Sequence, residues 1–195
     1  APVTFDSEGN SGRLSCQRSK FNLNTLGPKD FPEFPAVEAE RSVELPAGVL
    51  ATMVDRVYRV VSRDLSKPIL GGIYLTVDEN LVRLVATDSY RLAVCDTTLE
   101  TSTLTEPFSM IVTGSAFHDA LSIADADAPV LIGAAASQAV FSFGDTVYVS
   151  RRIEGTFPDY RQLLPKSCST SLELPVEEAS EGLRRVSLGA AQNPR

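Results

Sequence analysis

The sequence predicts an α+β fold in which a strand–helix–three-strand unit occurs twice, with the helices on one face of antiparallel sheets. Three observations lead to this prediction. Helical and alternating apolar patterns follow the same order in residues 42–96 and again in residues 108–151. Short polar turn signals separate successive strand patterns. Matching segments also recur along the whole chain, which indicates a repeated domain.

The first unit begins with the strand SVELP, at residues 42–46. Pro46 followed by Ala47 suits the start of a helix, which we expect to run to about Ser62. Its spacing predicts a buried stripe of Leu50, Met53, Val54, Val57 and Val61. Three strands are then predicted, at Gly72 to Val77, Leu81 to Thr87 and Arg91 to Asp96.

The second unit repeats this order. A strand at Phe108 to Thr113 precedes a helix from Ser115 to about Ala124. The three strands that follow are predicted at Val130 to Gly133, Ala139 to Phe143 and Thr146 to Arg151. The dipeptide Gly144-Asp145 between the last two is a hairpin signal.

Three pairs of segments recur at a spacing of roughly 127 residues. The paired segments are APVTFDSEGNSGRLSC with APVLIGAAASQAVFSF, FPEF with FPDY, and SVELP with SLELP. We therefore expect one complete copy of a domain, at residues 37–165, between the tail of an earlier copy at 1–36 and the start of a later one at 166–195. On this interpretation the chain is a fragment of a longer polypeptide.

Composition narrows the class of protein. The net charge of −7 argues against a globally basic nucleic-acid binder, so any DNA contact must be local. The three cysteines are far apart and lack paired CxxC spacing, which favours reduced thiols in a cytoplasmic protein over a zinc or redox site. The sequence contains no apolar run long enough to span a bilayer, and we expect no membrane association.

A catalytic interpretation finds little support. The single histidine, His118, lies in a predicted helix without a converging nucleophile. Asp78, Glu79, Asp88 and Asp96 could be imagined as metal ligands, but acidic residues are common in surface turns, which is the better account. No phosphate-binding glycine motif occurs. We expect neither an active site nor a cofactor.

Three segments resemble the beta sliding clamp of bacterial DNA polymerase III: DLSKPILGG at 64–72, LVATDSYRLAV at 84–94 and IEGTFPDYRQLLPKS at 153–167. The resemblance covers essentially the whole chain and centres on the central domain of the clamp. It implies the DNA clamp fold and a processivity factor. In that family, three domains per subunit form a head-to-tail homodimer that encircles duplex DNA, with helices inside the ring and sheets outside.

The implied partners are double-stranded DNA, contacted without regard to sequence, and proteins that carry short clamp-binding peptides. These proteins are the polymerase III catalytic subunit, the clamp loader, other polymerases and repair proteins. On the first predicted helix, Arg56, Arg59 and Arg63 recur at i, i+3 and i+7, and would form one basic face. The resemblance turns this face from an ordinary solvated surface into a candidate contact with DNA phosphates.

A peptide-binding pocket is the second implied site, and its members carry over from the family motifs. They are Lys67, Leu70, Thr87, Tyr90, Leu92, Pro158 and Leu163. The leucines and the proline would accept apolar anchors of a partner segment, and the polar residues would form the edge. Without the resemblance, the better interpretation is that Leu70 and Leu92 are ordinary core residues and that Phe157-Pro158-Asp159-Tyr160 is an interdomain turn.

The chain departs from a common family pattern at Lys67, where many members have arginine, and at Ser89-Tyr90, where many have Gly-His. Both departures concern peptide preference. Because further pocket residues would come from the third domain, we expect weak or no peptide binding by this chain alone. A non-catalytic repeat scaffold unrelated to DNA, and an enzyme whose active site lies in other segments, remain as alternatives.

Overall fold

The computed structural model describes residues 1–31, 37, 39–100, 104 and 106–190. The chain divides into two compact units, Ala1–Gly155 and Thr156–Arg195. The first unit contains both predicted strand–helix–three-strand halves. The FPEF segment of the sequence repeat falls mostly outside the described residues, as do the last five residues of the chain.

The observed elements confirm the α+β class and the duplicated order. The first half consists of β4 (Arg41–Pro46), α1 (Ala47–Tyr58), β5 (Gly72–Asp78), β6 (Leu81–Thr87) and β7 (Leu92–Thr98). The second half consists of β8 (Phe108–Thr113), α2 (Gly114–Ser122), β9 (Pro129–Ala134), β10 (Gln138–Phe143) and β11 (Thr146–Arg151). A separate antiparallel meander precedes them, with β1 (Thr4–Glu8), β2 (Ser11–Cys16) and β3 (Ser19–Asn24).

The two halves exchange their first strands. One four-stranded sheet has the order β11-β10-β9-β4, and the other has the order β7-β6-β5-β8. Each sheet therefore takes three strands from one half and one from the other. In the first sheet Leu45 pairs with Val130, and in the second Leu75 pairs with Met110, all four being buried. Neither half can complete its sheet without the other.

Helix α1 ends four residues earlier than the sequence predicts. Its buried stripe of Leu50, Met53, Val54 and Val57 is confirmed, but the helix stops at Tyr58. Beyond Tyr58 the Val60 and Val61 N–H groups donate to carbonyls only three residues back, and the Ser62 N–H donates to Leu70 O at 2.9 Å instead of continuing the helical ladder. Val61 is consequently half-buried outside the helix. Helix α2 likewise ends at Ser122, short of the predicted Ala124.

The core of the first unit lies where α1 and α2 pack together and against the sheets. Phe117 on α2 and Phe141 on β10 are both fully buried and meet edge to face, with 5.2 Å between ring centroids. Apolar residues of both halves therefore share one interior, and this interior holds α1 and α2 together.

Arg152 joins the two four-stranded sheets. Its guanidinium donates to Ser109 O on β8 at 3.2 Å and to Ala135 O, in the turn between β9 and β10, at 2.9 Å. An isolated bridge between Val112 and Arg152 reinforces the junction. One side chain thus connects the edge of one sheet to a turn of the other.

Two elements have apolar side chains that remain exposed. Phe5, Phe21 and Leu23 lie on one side of the β1–β3 meander and are exposed. In the second unit, α3 (Val176–Ala190) follows Pro175 as α1 follows Pro46, but none of its residues is buried. Within the described residues, no helix combines the length and apolar character needed to cross a membrane.

Candidate functional site

The three arginines of the predicted basic face do not all lie on helix α1. Arg56 lies in the last turn of α1 and Arg59 caps the helix, but Arg63 lies in the loop beyond it. Because α1 ends at Tyr58, the i, i+7 spacing does not place Arg63 on one helical face with Arg56, whereas its position after the helix agrees with an expected helix end near Ser62. Arg56 donates to the buried Cys95 sulfur on β7 at 4.0 Å. All three arginines are exposed.

The exposed side of α2 adds no lysine or arginine. His118 stacks on Tyr58 of α1, with 5.5 Å between ring centroids, and Asp119 lies beside it. Gly114 permits this approach because a Cβ there would lie 2.8 Å from the Tyr58 ring. The helix pair thus presents a mixed polar surface. On the α1 side its positive charge comes from Arg56 in the last turn and Arg59 at the C-cap.

A groove of about 740 Å³ opens beside the C-terminal end of α1. The sequence assigned the arginines and the peptide pocket to two separate sites, but this groove contains members of both. Its charged and aromatic lining consists of Tyr58, Arg59, Arg63, Asp64, Lys67, Asp88, Tyr90 and Arg91. The structure therefore brings Arg59 and Arg63 together with Lys67 and Tyr90.

One wall of the groove is the tight turn between β6 and β7. The buried Thr87 hydroxyl donates to Arg91 O at 2.8 Å and accepts from the Ser89 N–H at 3.2 Å. Asp88 accepts from the N–H groups of Tyr90 and Arg91, and its second oxygen pairs with Arg91 Nε at 2.9 Å. These bonds hold Tyr90 at the tip of the turn, where it is 98 % exposed.

The turn also explains the charge state of Asp88. The backbone N–H groups of Arg91 and Tyr90, followed by the Arg91 side chain, lower the pKa of Asp88 from 3.8 to about 2. Hydrogen bonds to the ionised form favour that form. Asp88 is therefore a turn-forming carboxylate, as the surface-turn interpretation predicted, and both of its oxygens are engaged within the turn.

Replacing Asp88 by asparagine is expected to change how stability depends on pH. Since the folded-state pKa is depressed, the carboxylate stabilises the fold above its ordinary pKa, and this contribution is lost as the pH falls from about 4 towards about 2. Chemical denaturation of wild type and Asp88→Asn at several pH values measures the difference. A difference that stays constant from about pH 6 to about pH 2.5 would contradict the assignment.

Ser89 adopts a conformation that favours glycine. Its φ is +79°, which is uncommon for a residue with a Cβ. The side chain compensates in part, because Lys67 Nζ donates to Ser89 Oγ at 3.4 Å. The sites at which the sequence departs from the family pattern, Lys67 and Ser89-Tyr90, are therefore neighbours in space, and Lys67 and Tyr90 line the groove.

Substituting Ser89 by glycine is expected to stabilise the first unit by about 1 kcal/mol, because it relieves the positive φ. The shift in the denaturation midpoint measures this effect. Ser7→Gly is the matched control, since Ser7 lies exposed in strand β1 without a positive φ. For Ser7→Gly we expect a small loss of stability, because glycine raises the conformational entropy of the unfolded chain. A loss at Ser89 as well would contradict the strain argument.

The opposite wall is the loop from Ser62 to Gly71. Asp64 organises it by accepting from the Ser66 N–H at 2.9 Å and from the Ser66 hydroxyl at 2.7 Å. These bonds from Ser66 lower the pKa of Asp64, and the charge of Lys67 contributes. A short 3₁₀ turn, Pro68–Gly71, then leads into β5. The loop places Arg63 and Lys67 in the lining of one groove.

The remaining predicted pocket residues of the first unit do not line this groove. Leu70 is buried outside the main core cluster, and Leu92, the first residue of β7, is half-buried. In the second unit, Pro158 and Leu163 are exposed. Leu163 ends the 3₁₀ turn Tyr160–Leu163, and Pro158 O accepts from the Tyr160 N–H at 2.8 Å.

Four charged or aromatic residues of the groove were not among the predicted site residues: Tyr58, Asp64, Asp88 and Arg91. Arg91 lies inside the quoted motif LVATDSYRLAV, yet only the structure shows that its side chain reaches the lining. Tyr58 follows Val57 of the buried stripe, and helical spacing already placed it at the edge of that stripe. A search for aromatic residues beside the predicted arginines would have found it.

Comparison with known proteins gives consistent results. The sequence model of the central domain of the DNA polymerase III beta subunit matches residues 44–159. A beta sliding clamp from Synechococcus elongatus is 27 % identical over 97 % of this chain and 52 % of its own length. One from Staphylococcus aureus is 31 % identical over 92 % of this chain and 47 % of its own length. The chain thus spans about half the length of these relatives.

Solved structures agree on the fold. The DNA polymerase sliding clamp from Bacillus subtilis has a TM-score of 0.74 at 24 % identity, covering 85 % of this chain and 44 % of that one. The DNA polymerase III beta subunit from Pseudomonas aeruginosa has a TM-score of 0.73 at 24 % identity, covering 84 % and 45 %. The architecture of this chain is therefore that of a DNA clamp.

Proposed function

Because this chain belongs to the family of DNA polymerase III beta subunits, the beta sliding clamps, we propose that it forms part of a processivity factor that encircles duplex DNA. In this role the protein tethers the replicative polymerase to its template and performs no chemistry of its own. The proposed place of action is the bacterial cytoplasm. The assignment of the family to residues 44–159 is the observation that carries the proposal.

The proposed organisation has three domains in each subunit and two subunits in each ring. We assign residues 1–36 to the end of a first domain, 37–165 to the central domain and 166–195 to the start of a third. The meander β1–β3 supports this assignment, since its order β1-β2-β3 repeats that of β9-β10-β11. The position of α3 directly after Pro175 supports it as well, because α1 directly follows Pro46.

The face formed by α1 and α2 is the proposed DNA-facing surface. Arg56 lies in the last turn of α1, Arg59 caps that helix, and Arg63 follows in the next loop. The charges of this face are mixed, since Asp55 and Asp119 are also exposed there. Contacts between scattered cations and phosphates carry no sequence information and exchange easily, which suits a ring that slides.

The groove and its neighbouring leucines are the proposed docking site for short segments of partner proteins. Such segments would belong to the polymerase III catalytic subunit, the clamp loader, and other polymerases and repair proteins. A concave surface that combines polar groups with exposed aromatic rings suits recognition of a short peptide. Lys67, Leu70, Thr87, Tyr90 and Leu92 would contribute from the first compact unit, and the family motifs also assign Pro158 and Leu163, at the start of the second unit, to the pocket.

The decisive experiment compares how much of the protein stays bound to circular DNA and to linear DNA. The full-length subunit, loaded by its clamp loader, is incubated with a nicked circular plasmid, and the bound fraction is separated by gel filtration. We expect retention on the circle and loss after the plasmid is linearised, because a ring can slide off a free end. Equal retention on circular and linear DNA would indicate binding to the DNA surface without encirclement. Absence of retention on both forms would favour a scaffold unrelated to DNA.

A further inference from the structure

The charges that line the groove are unevenly neutralised. Arg91 pairs with Asp88, and Lys67 lies close to Asp64 and contacts Ser89. Arg59 and Arg63, in contrast, have no carboxylate within ion-pair distance among the residues that the structure describes. Two guanidinium groups therefore border the groove with their charge available to a ligand.

The shape of the groove selects a narrow ligand. Its volume of about 740 Å³ is within the range of pockets that enclose small molecules, and it lies between the turn at Tyr90 and the loop at Arg63. A DNA duplex presents a broad convex surface, which contacts scattered cations but does not enter a groove of this size. An extended peptide or a single nucleic-acid strand is narrow enough.

The fixed carboxylates decide between these two ligands. Asp64 and Asp88 also line the groove, and hydrogen bonds from their own loops keep both in the ionised form at neutral pH. A single strand carries one negative charge at every nucleotide, so it would meet these carboxylates as well as the arginines. A peptide can place a carboxylate at the arginines and neutral groups elsewhere.

We propose that Arg59 and Arg63 bind acidic residues of the partner segment, next to its apolar anchors, and so select for partners with acidic flanks. This inference rests on the proposed peptide-docking function and gives two arginines, which the sequence placed on the DNA-facing side, a role in the peptide groove. Arg56, which reaches Cys95 on β7 and does not line the groove, keeps its DNA-facing role.

The test compares three peptides that share the same leucine and phenylalanine anchors but carry flanking Asp-Glu, Asn-Gln or Lys-Arg residues. Each is titrated into the isotopically labelled full-length subunit, which supplies the remaining pocket residues, and NMR shifts of groove residues report affinity and location. We expect the acidic peptide to bind roughly tenfold more tightly than the neutral one, the effect of two exposed ion pairs. Added salt is expected to reduce this preference.

Variants connect the preference to the two arginines. The double variant Arg59→Gln, Arg63→Gln is expected to bind the acidic and neutral peptides equally, whereas Arg18→Gln, an exposed arginine in the β2–β3 turn, keeps the full preference. Because all three side chains are exposed, the fold is expected to persist, which circular dichroism checks. Retention of the preference in the double variant would overturn the proposal.

The other outcomes are distinct from one another. Equal affinity of wild type for all three peptides would overturn the selection of acidic flanks and leave the docking function standing. Absence of shifts with every peptide would overturn both. A single-stranded oligonucleotide that displaces the acidic peptide and shifts the same resonances at lower concentration would assign the groove to nucleic acid.

Discussion

Replacing Phe117 by alanine is expected to destabilise the first unit by about 3–5 kcal/mol. The side chain is fully buried and meets the Phe141 ring edge to face at 5.2 Å. Its removal loses apolar burial and leaves a cavity between α2 and the sheet containing β10. This loss is a large share of the roughly 5–15 kcal/mol that stabilises a typical domain.

Urea denaturation followed by far-UV circular dichroism measures the Phe117 effect, since the chain has no tryptophan for fluorescence. Phe31→Ala is the matched control, because the Phe31 side chain is 81 % exposed. We expect its midpoint to stay within about 0.5 kcal/mol of wild type. A similar loss at both positions would contradict the assignment of Phe117 to a shared core.

Replacing Arg152 by methionine is expected to cost about 2–3 kcal/mol, because backbone carbonyls lose a charged donor at the junction of the two sheets. These acceptors are Ser109 O, Ala135 O and Ala136 O, at 3.2, 2.9 and 3.4 Å. Methionine keeps the apolar stem but donates no hydrogen bond. Lysine should recover only part of the loss, since one ammonium cannot reproduce the planar fork of donors.

The neighbouring Arg151 supplies the control for Arg152. Arg151 is exposed at the end of β11, and Arg151→Met is expected to change stability by less than about 0.5 kcal/mol. Hydrogen exchange adds a local measure, because loss of the Arg152 contacts should speed exchange at the β8 edge. Equal midpoints for the two variants would mean that Arg152 does not join the sheets.

Much of the fold was predictable because its signals are local. The strands β6, β8 and β11 occur at the predicted residues, since alternating apolar positions and turn signals act over only a few residues. The end of α1 was not predictable in this way. The chain turns away after Tyr58 and makes a hydrogen bond from Ser62 to Leu70, a contact that forms only when the intervening loop folds back.

The candidate site was predictable to a smaller extent. The motif LVATDSYRLAV located the turn that carries Thr87 and Tyr90, and the structure places that turn at the groove. The meeting of Arg63 with Lys67 and Tyr90 could not be read from sequence, because it depends on how the loop from Ser62 to Gly71 folds, and that loop has no periodic pattern. The positive φ of Ser89 was likewise visible only in the structure.

The sequence by itself determined the order of elements, the duplication and the family, because periodicity, turn residues and motifs are properties of neighbouring positions. The tertiary structure alone decided that β4 and β8 exchange sheets and that Arg59 and Arg63 line one groove with Lys67 and Tyr90. Strand exchange depends on hydrogen bonds between distant segments, and the groove depends on a loop closed by such a bond. Neither the strand exchange nor the groove produces a periodic pattern in the sequence of the residues that form it.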